Sequence, residues 1–345
     1  MNKLNANENL KVCFISDIPE NVKEYLIEGI KHLSNVILIF PKDKSKENLF
    51  ELIKDTDVLI GWRPSLEILK HAEKMRFFIN PGAGVHHLLE DFKEINKKRN
   101  VTLINGHGNS YFVAQHTVAL LLSLMNRIIP HHEWMKEGKW RTGDNDAASI
   151  PLRFKNVGLL GYGAINKKVH KMLSGFNITF SILRRDWSNT EGINPTEVRK
   201  YTYNQLHDFL KEVNILIIAV PVTKLTINMI DKEELTLLGP DGILVNVSRG
   251  EIVNQEALYK ALKNNKIFGA AIDVWYENNP QSDNQGRKYP FHFPFHLLEN
   301  IVLSPHRGYS PFNDLLRWNE VIENIKRMAS NRTDLLNVVN LKEGY

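Results

Sequence analysis

Short apolar runs alternate with segments of helical spacing along the whole chain. Residues 11–16, 35–40, 57–60, 77–79 and 101–104 read as strands, with helical periodicity around 21–30, 46–54 and 65–72. A second set of runs follows at 157–160, 180–183, 215–220, 243–247, 269–274 and 301–304. These are β-branched and apolar on both faces, as strands of a covered parallel sheet must be. The alternation predicts an α/β fold of two doubly wound parallel sheets with crossover helices. The strongest helix, 111–126, is apolar nearly all round and is expected to be buried. A tail helix at about 312–329, carrying Leu315, Leu316, Val321, Ile322 and Ile325, is expected to return to the first sheet. The first domain is then discontinuous, with boundaries at 1–107 plus 309–345, and the second, 108–308, is inserted into it. Residues 277–297, rich in Asn, Pro, His and Phe, are the least regular stretch, and a long loop beside a site is expected to serve function.

Composition changes this picture little. A length of 345 residues suits two domains, and 43% hydrophobic with 24% charged residues is ordinary for a globular protein. The formal charge of +5 is spread among acidic residues, so a solvated surface is expected rather than a nucleic-acid footprint. The single cysteine, Cys13, lies in the apolar run Val12-Cys13-Phe14-Ile15 and reads as a buried strand residue. No disulfide within the chain can form, which fits a reducing compartment. Residues Met1-Asn2-Lys3-Leu4-Asn5 lack the apolar core of a signal peptide, and no apolar run approaches a membrane span. A cytoplasmic location is expected, with no nucleic-acid or membrane partner.

The chemistry begins at Val157-Gly158-Leu159-Leu160-Gly161-Tyr162-Gly163-Ala164-Ile165-Asn166. An apolar strand runs into a glycine turn that opens a helix, whose inner face carries Val169, Met172 and Leu173. Such a turn presents backbone N–H groups and a positive helix end to a pyrophosphate. Gly161 permits the turn, Gly163 admits close backbone approach, and Ala164 and Ile165 open the helix. Asn166 stands where a third glycine is usual. After the strand Phe180-Ser181-Ile182-Leu183 come Arg184 and Arg185, where an acidic residue for the ribose 2′-hydroxyl is usual. Arginines there predict NADP in preference to NAD, by pairing with a 2′-phosphate.

Ligands of doubly wound sheets bind beyond the carboxyl ends of the strands. After 243–247 comes Ser248-Arg249-Gly250; after 269–274 comes Trp275-Tyr276-Glu277-Asn278; after 301–304 comes Pro305-His306-Arg307. An arginine can hold a carboxylate through two parallel bonds. A histidine can exchange a proton near neutral pH. The run His131-His132-Glu133 predicts no metal site, because adjacent residues point to different faces of a helix.

Together these motifs resemble the D-isomer-specific 2-hydroxyacid dehydrogenases across nearly the whole chain. Asn80-Pro81-Gly82-Ala83-Gly84-Val85-His86-His87-Leu88 resembles the substrate-domain turn whose amides, here near Gly84 and Val85, hold the carboxylate. Gly108-Asn109-Ser110, then Val113-Ala114-Gln115, resembles the entry into the cofactor domain, with Gln115 where Glu is usual. Val220-Pro221-Val222-Thr223 with Thr226 resembles the stretch lining the cofactor. Asn246-Val247-Ser248-Arg249-Gly250 resembles the signature of the substrate arginine, with Val247 and Ser248 beside the cofactor. Gly269-Ala270-Ala271-Ile272-Asp273-Val274 resembles the strand whose Asp contacts the nicotinamide amide, and Ser304-Pro305-His306 resembles the catalytic-histidine signature.

The resemblance implies a Rossmann-type cofactor domain inserted into a flavodoxin-like substrate domain. It implies NAD(P)-dependent reduction of small 2-keto acids such as glyoxylate or hydroxypyruvate, in a homodimer joined through the cofactor domain. Asn109 would belong to the substrate-binding set, and closure over the substrate would assemble the site. The chain departs from the family where a Glu before Pro pairs with the histidine. That position is Asn278, with Glu277 one residue early and Pro280 one residue late. Glu277 is expected to take the pairing role, with Asn278 as the alternative. Formate dehydrogenases of the same superfamily carry an amide there and also read Asp-Val-Trp. The run His132-Glu133-Trp134 with Gly138 and Trp140 is similar to theirs too, so formate oxidation is an alternative. A non-catalytic dinucleotide sensor is a third.

Overall fold

The computed structural model describes residues 9–43, 45–141, 148–188, 194–311 and 313–345. The reading of Met1 to Asn5 and the first residue of the expected tail helix, Phe312, lie outside the described residues. The chain forms two compact units, one of Met1–Asn109 with Pro311–Tyr345 and one of Ser110–Ser310.

The first unit contains β1 (Leu10–Phe14), β2 (Val36–Ile39), β3 (Val58–Ile60), β4 (Phe77–Asn80) and β5 (Thr102–Asn105). They form a parallel sheet in the order β2-β1-β3-β4-β5, the flavodoxin-like order. Four helices cross between them: α1 (Glu20–Ile30), α2 (Lys46–Lys54), α3 (Leu66–His71) and α4 (Leu89–Ile95). Strands β3 and β4 are buried along their whole length, which explains their continuous apolar runs.

The second unit opens with α5 (Ser110–Met125) and α6 (Ile128–Lys136), followed by β6 (Asn156–Leu160), α7 (Ala164–Leu173), β7 (Thr179–Leu183) and β8 (Val198–Tyr201). Then come α8 (Leu206–Glu212), β9 (Ile215–Ile218), α9 (Lys232–Leu238), β10 (Ile243–Asn246), α10 (Gln255–Lys263), β11 (Gly269–Ile272) and β12 (Ile301–Leu303). All seven strands pair in parallel in the order β12-β11-β10-β9-β6-β7-β8. The order reverses between β6 and β9, the switch point at which such sheets take ligands. Apolar side chains cover both faces, one group around Leu160, Phe209 and Leu244, the other around Val157, Val169 and Leu121.

The chain returns to the first unit as α11 (Asn319–Ala329), after a tight turn at Leu315–Trp318. Val321, Ile322, Ile325 and Met328 pack with Val12, Leu26 and Ile60, as expected of the tail helix. Leu316, expected on its apolar stripe, is exposed instead, because it lies in the turn ahead of the helix.

Three expectations need correction. Strand β8 carries the polar sequence Val-Arg-Lys-Tyr and has no apolar run; as an edge strand it pairs on one side only and leaves Arg199 and Lys200 exposed. Helix α5 is not buried all round. Val113, Thr117, Leu120, Leu121 and Leu124 face the sheet and α7, whereas Tyr111 is 54% exposed and Gln115 and Ala119 are exposed as well. Strands expected at 215–220 and 269–274 end at Ile218 and Ile272, where the chain leaves the ladder for the loops that follow.

Candidate active site

Strand β6 runs buried into the glycine turn. Gly161 adopts φ +84, and a Cβ there would lie 2.6 Å from the Ala219 carbonyl oxygen. Only glycine fits both the backbone region and the close approach. Gly163 is the first residue before α7, and a Cβ on it would meet nothing within 4 Å. No side chain caps this helix, and its first turn, Ala164 and Ile165 included, holds no acidic residue. Free N–H groups, a positive dipole end and open space therefore coincide, which is the chemistry of an anion site.

Asn166 replaces the third glycine without loosening the turn. It is fully buried, and its Nδ2 donates to the carbonyl oxygens of Gly161 at 2.7 Å and Leu160 at 3.3 Å. The helix is tied to the strand end by hydrogen bonds where a glycine would allow direct packing.

Arg184 follows β7, and its amide donates to the Tyr201 carbonyl on β8. Its guanidinium lies 5.3 Å from the Trp187 ring centroid, and Lys200 Nζ lies 5.0 Å from the same ring. The indole N–H donates to the Tyr201 carbonyl at 2.9 Å, anchoring the ring that both cations approach. Arg185 is exposed beside them. No local sequence signal marks Lys200, because β8 carries no apolar run.

The loop after β9 holds Pro221 and Thr226. The Thr226 hydroxyl donates to the Pro221 carbonyl at 2.7 Å and accepts the Thr223 amide at 2.8 Å, closing the loop on itself. After β10, Asn246 Oδ1 accepts from the amide of Ser248 and its hydroxyl, while Nδ2 donates to the Arg249 carbonyl. Val247 and Ser248 are buried by this staple, which brings Arg249 to the carboxyl edge in an extended conformation. Gly250 passes so close to the segment after β11 that its Cβ would lie 2.4 Å from the Trp275 carbonyl oxygen.

Asp273, 2% exposed, is the hub of this edge. It accepts from the Ser304 hydroxyl, the Arg307 amide at 2.7 Å and the Gly308 amide at 2.9 Å, and His116 Nε2 lies 3.4 Å away. Burial opposes its ionisation, but His116, Ser304 and the two amides outweigh it and hold the carboxyl below the usual carboxylate range. His116, on α5, also lies 2.9 Å from the Ser304 hydroxyl. No local sequence signal marks it, because its partners follow strands more than 150 residues downstream.

His306 follows β12 with φ +55. Burial lowers its pKa below the ordinary 6.5, the Asp273 carboxylate acts to raise it, and the Arg249 guanidinium lowers it further. His306 is thus within electrostatic reach of both Asp273 and Arg249, the three residues following three adjacent strands.

Glu277 is not part of this group. The amides of Tyr276 and Glu277 both donate to the Pro290 carbonyl, turning the chain away. The Glu277 carboxylate is 46% exposed and stands 4.0 Å from His292. The expected pairing with His306 is therefore not made, and Asn278 is exposed. The rest of the loop is packed by aromatic rings, with Phe291 4.9 Å from Trp275 and Phe293 5.3 Å from Tyr259.

In the first unit, Asn80 and Asn105 end the paired strands β4 and β5. Asn80 Nδ2 donates to the Gly82 carbonyl and, at 3.5 Å, to that of Gly84; Asn105 Nδ2 donates to the Ala83 carbonyl at 2.8 Å. The turn that includes Gly84 and Val85 is thereby held through its carbonyl oxygens. Asn109 is half-buried at the end of this unit.

Comparison with known proteins agrees with this geometry. Residues 118–308 match the family described as "D-isomer specific 2-hydroxyacid dehydrogenase, NAD binding domain". A glyoxylate reductase of Pyrococcus furiosus is 29% identical over 314 residues, 88% of this chain and 87% of the relative. Another, from Korarchaeum cryptofilum, is 30% identical over 288 residues, 81% of each. A D-isomer specific 2-hydroxyacid dehydrogenase from Xanthobacter autotrophicus, solved in complex with NADPH and MES, shares the fold with a TM-score of 0.77 at 22% identity. That likeness covers 98% of this chain and 100% of the other. A chain with these motifs, this pair of sheets and these relatives belongs to the D-isomer specific 2-hydroxyacid dehydrogenase family, NAD(P)-dependent oxidoreductases acting on CH–OH groups.

Proposed function

We propose that this protein reduces small 2-keto acids such as glyoxylate or hydroxypyruvate, preferring NADPH, and runs in reverse as a D-2-hydroxyacid dehydrogenase. The observation that carries the reading is the grouping of Arg249, Asp273 and His306 at the carboxyl edge of the sheet that also bears the glycine turn. Bound nicotinamide supplies the hydride. Arg249 binds the carboxylate and polarises the keto oxygen, and His306 gives that oxygen its proton. Asp273 favours the protonated imidazole and takes the nicotinamide amide. The amides near Gly84 and Val85, whose turn Asn80 and Asn105 hold by its carbonyls, take the carboxylate from the first domain, with Asn109 beside them.

The cofactor is held by Gly161, Gly163, Ala164 and Ile165 at the pyrophosphate. Pro221, Thr226, Val247 and Ser248 line its path. Arg184 and Arg185, joined by Lys200, pair with the 2′-phosphate. A charge-assisted bond contributes roughly 1.5–3 kcal/mol, about ten- to a hundredfold in binding. The domain roles follow: 1–107 with 309–345 for substrate and 108–308 for cofactor. We further propose a homodimer in the cytoplasm. Its support is the apolar surface left exposed on the second unit by Tyr111, Ile128, Ile129, Met135 and Trp140, the last 73% exposed. The single cysteine fits a reducing compartment, and among the described residues no single helix is long and apolar enough to cross a membrane.

The test is cofactor oxidation with glyoxylate, hydroxypyruvate, pyruvate and bulkier keto acids, each with NADPH and NADH, beside formate with NAD and NADP. Keto-acid turnover with higher kcat/KM for NADPH is expected, and Arg184→Ala should erase most of that preference. Formate-dependent reduction of either cofactor without keto-acid turnover would favour a formate dehydrogenase. Tight NADPH binding with no turnover would favour a sensor.

A further inference from the structure

The residue between the two turn glycines is held from inside the fold. The Tyr162 hydroxyl lies 2.6 Å from His170 Nδ1, and His170 Nε2 lies 2.8 Å from the Thr196 hydroxyl. His170 is on the second turn of α7, is 0% exposed, and lies 4.0 Å from the Phe180 ring. The direction of the hydrogens follows from the end of the chain. Thr196 Oγ1 donates to the Glu197 carbonyl at 3.1 Å, so it accepts from His170 Nε2. A neutral imidazole that donates from Nε2 accepts at Nδ1, where the Tyr162 O–H donates. Burial holds the imidazole neutral, its pKa pushed down to about 4, and raises the Tyr162 phenol, so the chain stays intact through the neutral range.

This bridge sits where the turn has least rigidity of its own. Gly161 and Gly163 carry no side chains, and glycine loses more backbone freedom on ordering than any other residue. Tyr162 is the residue of the three with a side chain to hold, and its hydroxyl is tied to His170 on α7, which in turn bonds Thr196 in the segment that enters β8. We propose that His170 is a positioning residue for the cofactor: through Tyr162 it pre-orders the turn whose amides take the pyrophosphate. Without the bridge, ordering of the turn would be drawn from the binding energy. The proposal rests on the reading of this turn as the dinucleotide site.

The experiment is fluorescence titration of NADPH with the wild type and with Tyr162→Phe, His170→Leu, His170→Gln and Thr196→Val. Each is titrated well below its own unfolding temperature, with the glyoxylate KM measured at saturating NADPH. Glutamine offers one amide oxygen to accept and an NH₂ to donate, so it can restore the bridge where leucine restores packing alone. Expected is a rise of about three- to tenfold in the NADPH Kd for Tyr162→Phe and His170→Leu, the loss of one hydrogen bond. His170→Gln should stay near the wild type, and the glyoxylate KM should not move. A merely structural role would lower Tm and leave the Kd of the folded protein unchanged. An unmoved Kd in Tyr162→Phe and His170→Leu, or equal losses in His170→Gln and His170→Leu, overturns the proposal. If His170→Leu does not fold, Tyr162→Phe and Thr196→Val decide by the same criterion. A wild type that does not bind NADPH overturns the dinucleotide reading itself, and this proposal with it.

Discussion

His306 shows how much depends on one neighbour. Burial and the Arg249 guanidinium push its pKa down, and only Asp273 works against them. Reduction needs the protonated imidazole, so kcat/KM for a keto acid should fall as pH rises through that pKa. The falling limb should therefore lie below the ordinary histidine value of 6.5. Glu277→Gln should leave the limb in place, because the carboxylate faces His292. His306→Asn should cost about 10²–10⁴-fold in kcat with NADPH binding intact, the usual contribution of a general acid. A limb that moves on replacing Glu277 would mean that the loop closes onto His306 during turnover. Arg249 and His306 were legible in the sequence because each follows an apolar strand, and Asp273, within the run 269–274, because that run resembles the family's strand. Their mutual charges were not, since a pKa is set by burial and partners that no local window contains.

At the scale of an element, the glycine turn is the clearest case of sequence dictating structure. Gly161 is required twice over, by its φ of +84 and by the 2.6 Å that would separate a Cβ from the Ala219 carbonyl. Gly161→Ala should destabilise the protein by about 1–3 kcal/mol, the cost of a strained backbone residue, and should abolish NADPH binding. Chemical denaturation and the same titration read the two effects separately; full stability with normal binding would show that the turn relaxes. Strand β8 is the opposite case. Arg199 and Lys200 give it no apolar signature, because an edge strand covered on one side needs none. Missing it also hid Lys200, which only the β7–β8 register brings to the ring of Trp187 and hence beside Arg184.

At the scale of the whole molecule, α5 carries information that a single chain leaves unused. It is apolar nearly all round, yet Tyr111, Gln115 and Ala119 are uncovered, and the neighbouring α6 exposes Ile128, Ile129 and Met135. A surface of this kind is covered by a partner more often than left to water. Sedimentation velocity should find a dimer at micromolar concentration, and Ile128→Glu with Met135→Glu should yield monomers or aggregates. A wild type that sediments as a monomer would refute the dimer and leave the chemistry of the site untouched.

The sequence by itself determined two parallel α/β sheets, the tail that returns to the first of them, the glycine turn and the order of the edge residues. Those are consequences of periodicity and of residue types at strand ends, and both are local. Only the tertiary structure decided which carboxylate stands near His306, that Asn166 ties helix to strand by hydrogen bonds, and that His116, Lys200 and His170 join sites far away in the chain. Each of these is a contact between distant segments. Its geometry is set by sheet register and by the direction a loop takes, as the Pro290 carbonyl does when it turns Glu277 away from the histidine.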